Sequence, residues 1–180
     1  RFLPTSNQQN LKVSSIAGLV GMDDKLVSTH GDCKVVVATK DHIEAIYPFM
    51  RRADQLEVAC MGHHPKESLE YALEFDDVTL TALDGGDVPF AMFGVGQVNG
   101  LAYIWLLGTD GVQDNSYQFL KASKKYVDMF VEPYGCVFNF VHKENKLALR
   151  WLKCVGATFI RSLEFSNQPF YEFVITKKYV

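Results

Sequence analysis

The sequence predicts an α/β chain built on one mixed sheet with helices on its faces, in the order β-α-α-β-β-β-α-β-α-β-β. Three observations carry this reading. Asn99-Gly100 stands between two apolar runs, and both residues tolerate the positive φ of a tight hairpin turn. From Leu101 to Val141 the pattern reads strand, helix, strand, which sets two strands parallel through a right-handed crossover. The tail reads as a second hairpin, so antiparallel pairs flank a β-α-β unit and the sheet is mixed.

Each element has its own warrant. Lys34 to Thr39 holds three consecutive valines, a short run suited to a buried strand. Asp41 with Glu44 three residues later is a capping-box pattern. The helix it opens aligns Ile43, Ile46, Tyr47 and Met50, and Pro48 should interrupt it. Lys66 to Phe75 is a second helix through Leu69, Ala72 and Leu73. Val78 to Leu83, Pro89 to Val98 and Leu101 to Leu107 read as three strands. A helix is expected from about Asn115 or Ser116 to Pro133, through Tyr117, Leu120, Val127 and Phe130. Cys136 to Val141 is the next strand, expected parallel to Leu101–Leu107. Asn145 should cap the last helix and Gly156 should end it. That helix turns Leu147, Ala148, Trp151, Leu152 and Val155 inward, so Trp151 is expected to be largely buried. Thr158 to Phe165 and Phe170 to Thr176 form the closing hairpin. The aromatic stripe of Phe138, Phe140, Trp151, Phe159, Phe170 and Phe173 is core by default.

Residues 1–32 read as a polar arm, with one apolar cluster at Ile16 to Val20, and residues 33–180 as the folded domain. A net charge of −3 gives no broad attraction to a phosphate backbone, so no nucleic-acid partner is expected. The longest apolar run, Leu101 to Leu107, is far short of the ~20 residues a membrane-spanning helix needs. No export signal is evident, and the four cysteines lack metal-type spacing, so reduced and mostly buried thiols are expected. No metal site is expected: Cys60, His63 and His64 share one short loop without a fourth ligand.

The C-terminal half carries the most specific texture. It runs Asn139-Phe-Val-His-Lys-Glu-Asn145, then Ala148-Leu-Arg150-Trp151-Leu-Lys-Cys-Val-Gly156-Ala157. This resembles the stretch of the GNAT acyltransferase superfamily in which a strand ends at Asn and the following helix ends at Gly. A closer resemblance is to a phage family, the small internal virion proteins of short-tailed coliphages. It is carried by Asp54, Leu56, Glu57 and Gly62, by Asn139, by Arg150 to Phe159, and by Phe173 to Lys177. The likeness spans Lys34 to Lys178 and leaves out the arm.

The GNAT resemblance implies where a cofactor would lie. Acyltransferases of that fold hold the coenzyme A pyrophosphate on main-chain amides at a helix start, where free N–H groups favour an anion. The corresponding positions are Leu107, Gly108, Gly111, Asn115 and Ser116, with Asn139 and Asn145 nearby. The glycine spacing departs from the family's turn, and Asp110 and Asp114 would meet the pyrophosphate, so acetyl-CoA is expected to bind weakly or not at all. Gly94 and Gly96 lie within a strand and serve close packing instead. The family's acid, a Tyr on the last helix, falls at Leu152, beside Trp151. The central strand offers Tyr103 and Trp105 but no carboxylate. Glu57 is then the best candidate base, with Asp54 to orient it. The competing reading pairs both with Arg51 or Arg52 along a solvated helix, and it is the preferred one.

Two functions follow. One is a virion-associated structural or assembly protein with degenerate catalytic motifs, binding other virion or host proteins inside the particle or the host cytoplasm, with no cofactor. The alternative is an acetyl-CoA-dependent N-acetyltransferase acting on a small amine or a host protein.

Overall fold

A computed structural model describes residues 26–177, with the backbone alone at 26 and 116–120. The apolar cluster Ile16 to Val20 lies outside the described residues. One eight-stranded sheet organises the chain: β1 (Leu26–His30), β2 (Cys33–Val37), β3 (Val78–Leu83), β4 (Pro89–Val98), β5 (Leu101–Gly108), β6 (Cys136–His142), β7 (Thr158–Phe165) and β8 (Gln168–Thr176), in the spatial order β1-β2-β3-β4-β5-β6-β8-β7. Neighbours are antiparallel throughout, except β5 and β6, which are parallel as the crossover pattern requires.

The sheet begins earlier than the sequence suggests. Leu26–His30, inside the segment read as an arm, pairs antiparallel with β2 through a turn at Gly31, whose φ is 61°. Val27 packs on the core. Ser28 and Thr29 mask the strand's alternation, and only the partner strand makes its burial visible.

Three helices, not two, separate β2 from β3: α1 (Lys40–Ile46), α2 (Arg52–Cys60) and α3 (Pro65–Phe75). Pro48 sits in a 3-10 turn, Tyr47–Phe49, which breaks the continuous stripe. The first helix is capped from Thr39 rather than Asp41: the Thr39 N–H donates to Nδ1 of His42 at 3.2 Å. After β5 comes a short turn of helix, α4 (Gly111–Asp114), then α5 (Ser116–Val131). The last helix, α6 (Lys146–Val155), has the expected ends. Asn145 accepts from the Ala148 amide at 3.2 Å, and Gly156 takes the left-handed conformation at φ 89°.

The helices cover both faces. Phe93, Ile104 and Val137 join Val127, Phe130 and Leu152 in the larger core, under α5 and α6. Met92 and Leu107 join Ile43, Ile46 and Leu69 in a smaller one under α1–α3. Adjacent residues Met92 and Phe93 point to opposite cores, so β4 is apolar on both sides and reads as a continuous run. Of the four cysteines, Cys33 and Cys60 are buried while Cys136 and Cys154 are exposed, and all are free thiols.

Candidate functional site

The parallel strands β5 and β6 touch at Tyr103 and Phe138 and then part. Just beyond that contact Asn139 spans the gap, its Nδ2 donating to the Ile104 carbonyl at 2.8 Å. Further on, β5 takes a different neighbour. The Arg51 N–H donates to the Gly108 carbonyl at 2.9 Å, and Met50 bridges to Thr109. The parted strands leave a cleft of ≈910 Å³, lined by α2 and α3 on one side of the sheet and α6 on the other.

Two carboxylates of α2 project to this parting, three residues apart on one helical face. Asp54 is 1 % exposed and Arg51 9 %. Arg51 donates to both Asp54 oxygens, at 2.7 Å to Oδ1 and 2.9 Å to Oδ2 from Nη2, and Gly108 N–H donates to Oδ2 at 2.9 Å. Burial pushes the Asp54 carboxyl above the ordinary carboxylate range, and Arg51 and the Gly108 amide pull against that push. Glu57 reaches β6 and the cap of α6: its Oε1 accepts from the His142 N–H at 2.8 Å and from Asn145 Nδ2 at 2.9 Å. Burial raises Glu57 to about 7, against the two donors, which lower it. The expected solvated pairing along the helix is therefore corrected. Asp54 does pair with Arg51, but inside the protein, and Glu57 bonds to strand β6 and Asn145. Helical spacing alone does not reveal that this helix lies across the ends of two parting strands.

Most amides of the loop proposed for a pyrophosphate bond within the chain. Gly108 N–H donates to Asp54, Thr109 N–H to the Phe90 carbonyl (2.8 Å), and Gly111 N–H to Thr109 Oγ1 (3.2 Å). Val112 N–H bonds Thr109, Gln113 and Asp114 bond Asp110, and Asn115 N–H bonds Gly111. Gly108 and Gly111 are required by packing: an added Cβ would lie 2.7 Å from Val112 Cγ2 in the first case and 2.7 Å from Phe90 Cβ in the second. Leu107 is buried in the smaller core. The Asn115 side chain donates to the Gly111 carbonyl at 3.0 Å and accepts from the Cys33 thiol. Ser116 opens α5, but its side chain lies outside the described residues. Asn139 and Asn145 are structural struts as described. Asp110 and Asp114 are both exposed. Most of the loop's amides between Gly108 and Asn115 therefore already have acceptors in the chain.

The sequence named Tyr103 and Trp105 but missed the cleft carboxylate that joins them. Asp76, just after α3, accepts from Tyr103 Oη at 2.5 Å and from Trp105 Nε1 at 2.6 Å. Burial and the Asp76 carboxylate raise the Tyr103 hydroxyl's pKa. Asp77 accepts from Gln97 and Tyr134, both at 2.7 Å. The available signal was the period-2 spacing of Tyr103 and Trp105, which puts both polar aromatics on one face of β5. Leu152 is buried, as its stripe implies. Trp151 is partly buried and packs against the larger core from the cleft wall, and its Nε1 is shut from solvent without a partner among the described residues. Trp151→Ala is accordingly expected to cost about 1–3 kcal/mol in a urea melt, below the roughly 3–5 kcal/mol of a fully buried Trp. Among the described residues no His, Cys, Asp and Glu cluster could hold a metal ion, and no helix is long and apolar enough to cross a membrane.

Comparison with known proteins places this architecture. The chain has the GNAT fold. A GNAT-family acetyltransferase from Bacillus anthracis superposes with a TM-score of 0.62 at 10 % identity, over 82 % of this chain and 96 % of that one. Ard1 from Thermoplasma volcanium gives 0.62 at 12 % identity, over 82 % and 99 %. Spermidine N-acetyltransferase from Vibrio cholerae, solved with CoA and spermine, gives 0.60 at 11 % identity, over 81 % and 96 %. In sequence, residues 82–165 match the family described as Bacteriophage T7, probable scaffold protein Gp13. No curated protein matches the chain.

Proposed function

We propose that this chain is a phage structural or assembly protein, a GNAT-fold body that acts by holding other proteins inside the particle or during its assembly. The match of residues 82–165 to the phage scaffold family supports the setting. The observation that supports this reading over acyl transfer is the loop from Gly108 to Asn115, most of whose amides bond within the chain. An anion arriving there would have to displace the Asp54 carboxylate from Gly108 and unwind α4. Isothermal titration with acetyl-CoA is the test. No saturable heat is expected up to millimolar ligand, and a micromolar dissociation constant would overturn the reading.

A second reading, an acetyl-CoA-dependent N-acetyltransferase, is favoured by one observation. Glu57 lines an open cleft with a carboxyl raised to about 7, the range in which a general base works best. It is tested in the same sample by thiol release from acetyl-CoA in the presence of polyamines or lysine peptides.

A further inference from the structure

A net charge of −3 is an average, and the fold spreads it unevenly. Helices α5 and α6 lie side by side on one face of the sheet, over the larger core. Together they carry six cations, Lys121, Lys124 and Lys125 on α5 and Lys146, Arg150 and Lys153 on α6, against one acid, Asp128. All six cations are exposed, because both helices turn their apolar stripes inward: Ala122, Tyr126 and Val127 from α5, Leu152 and Val155 from α6. The three on α6 stand one turn apart in a single row, about 10 Å long at ~1.5 Å of rise per residue. Packed helix axes lie about 8–10 Å apart. The two rows therefore make a patch comparable in width to the grooves of a duplex, ~6–12 Å.

These cations are also uncompensated. Elsewhere Lys34 is paired with Asp87, Arg51 with Asp54, Lys66 with Glu44, Arg161 with Glu172 and Lys177 with Glu132. Lys143 lies over the Tyr171 ring. None of the six on α5 and α6 has an ion pair among the described residues. Lys40 and Arg52 are pairless too, but stand singly on α1 and α2 in the opposite helix layer. Asp114 and Glu144, both exposed, lie just before the two helices and bound the patch there. Only Arg150 of the six also lines the cleft between β5 and β6, so the patch is a separate surface. Like charges gathered without counterions repel, and an anion that spans them relieves the repulsion.

The character of the face selects among anions. No large apolar side chain of α5 or α6 is exposed among the described residues. A protein partner would want an apolar centre to its contact, and a single strand would want rings to stack on. A duplex backbone wants neither, and offers one charge per ~1.7 Å of its axis. We propose that the outer face of α5 and α6 binds the phosphate backbone of a nucleic-acid duplex without reading its sequence. Cations on phosphates set affinity and carry no base information. The proposal holds whether the chain serves assembly or transfers an acyl group.

Fluorescence anisotropy of a short labelled DNA duplex of random sequence, titrated with the full-length chain, is the test. Binding is expected at low salt, and about four to six phosphate contacts should weaken it by on the order of 10²–10³-fold between ~50 and ~200 mM salt. Lys124→Gln with Lys153→Gln, both exposed, should keep the melting temperature and weaken low-salt binding at least about tenfold, with the slope of log affinity against log salt reduced by about 2. Lys40→Gln with Arg52→Gln removes the same charge from the other helix layer, beyond a screening length of about 10 Å, and should leave affinity within about twofold. No binding at low salt, or equal weakening by the two variant pairs, overturns the proposal. Tighter retention of a single strand would assign the face to stacked bases and overturn it as well. So would displacement of the duplex by a glutamate homopeptide at equal total charge, which would assign the face to an acidic protein.

Discussion

Arg51→Met is expected to lower the unfolding free energy by about 3–5 kcal/mol, because it removes the countercharge from a carboxylate shut away from water. Asp54 is 1 % exposed and receives three hydrogen bonds from the Arg51 side chain. Without them it must either stay charged in a low-dielectric interior or take up a proton there. Replacing both residues, Arg51→Met with Asp54→Leu, should recover part of the loss, since paired apolar groups need no countercharge. Recovery should stop short by about 1–3 kcal/mol, the penalty for leaving the buried Gly108 N–H without the acceptor it has at 2.9 Å. Urea denaturation of the three proteins checks both numbers. Equal stability of wild type and Arg51→Met would mean that the ion pair does not hold α2 to the end of β5.

The second large effect is a pH dependence. Glu57 has an ordinary value of 4.5 and is raised to about 7 by burial. Between those values the folded protein keeps a proton that the unfolded chain has released. Stability from this group is therefore full below about pH 4.5, falls as pH rises, and is gone above about pH 7. The separation corresponds to about 3 kcal/mol, at about 1.4 kcal/mol per pH unit. Asp54, also raised, pushes the same way, and Arg51 opposes it. His30 is lowered by burial and by Lys125, so its contribution is lost instead as pH falls below its ordinary 6.5. Comparing wild type with Glu57→Gln isolates Glu57, because the amide oxygen can still accept from His142 and Asn145. Wild type should lose about 2.5 kcal/mol more than the variant between pH 5 and pH 8. Parallel pH profiles for the two proteins would refute this placement of Glu57.

These predictions rest on contacts that sequence reached only in part. Elements with local signatures were legible: the Asn99-Gly100 hairpin, Asn145 and Gly156 at the two ends of α6, and the parallel relation of β5 to β6 through its crossover helix. Where a signature was masked or shared, reading failed. β1 was hidden because Ser28 and Thr29 break its apolar alternation, although Gly31-Asp32 is itself a hairpin turn signal. Asp41 competed with Thr39 for the cap of α1, and the ring of His42 decided it.

The sequence by itself determined the sheet's class and the order of most of its strands, because hydrophobic period, turn residues and caps act over a few residues and are written locally. It also offered Glu57 and Asp54 as a candidate base and its orienting acid, while preferring a solvated pairing for both, and the family resemblance offered Gly108, Asn139 and Asn145 as cofactor positions. What each of them does was decided by tertiary structure alone. Asp54 could be a surface ion pair, an orienting acid or a buried acceptor, and only the approach of α2 to the end of β5, across 54 residues of chain, makes it the partner of the Gly108 amide. Glu57 was likewise fixed by β6 and Asn145, 88 residues away. Hydrogen-bond partners and desolvation depend on what the folded chain brings close, and spacing along the sequence carries no record of it.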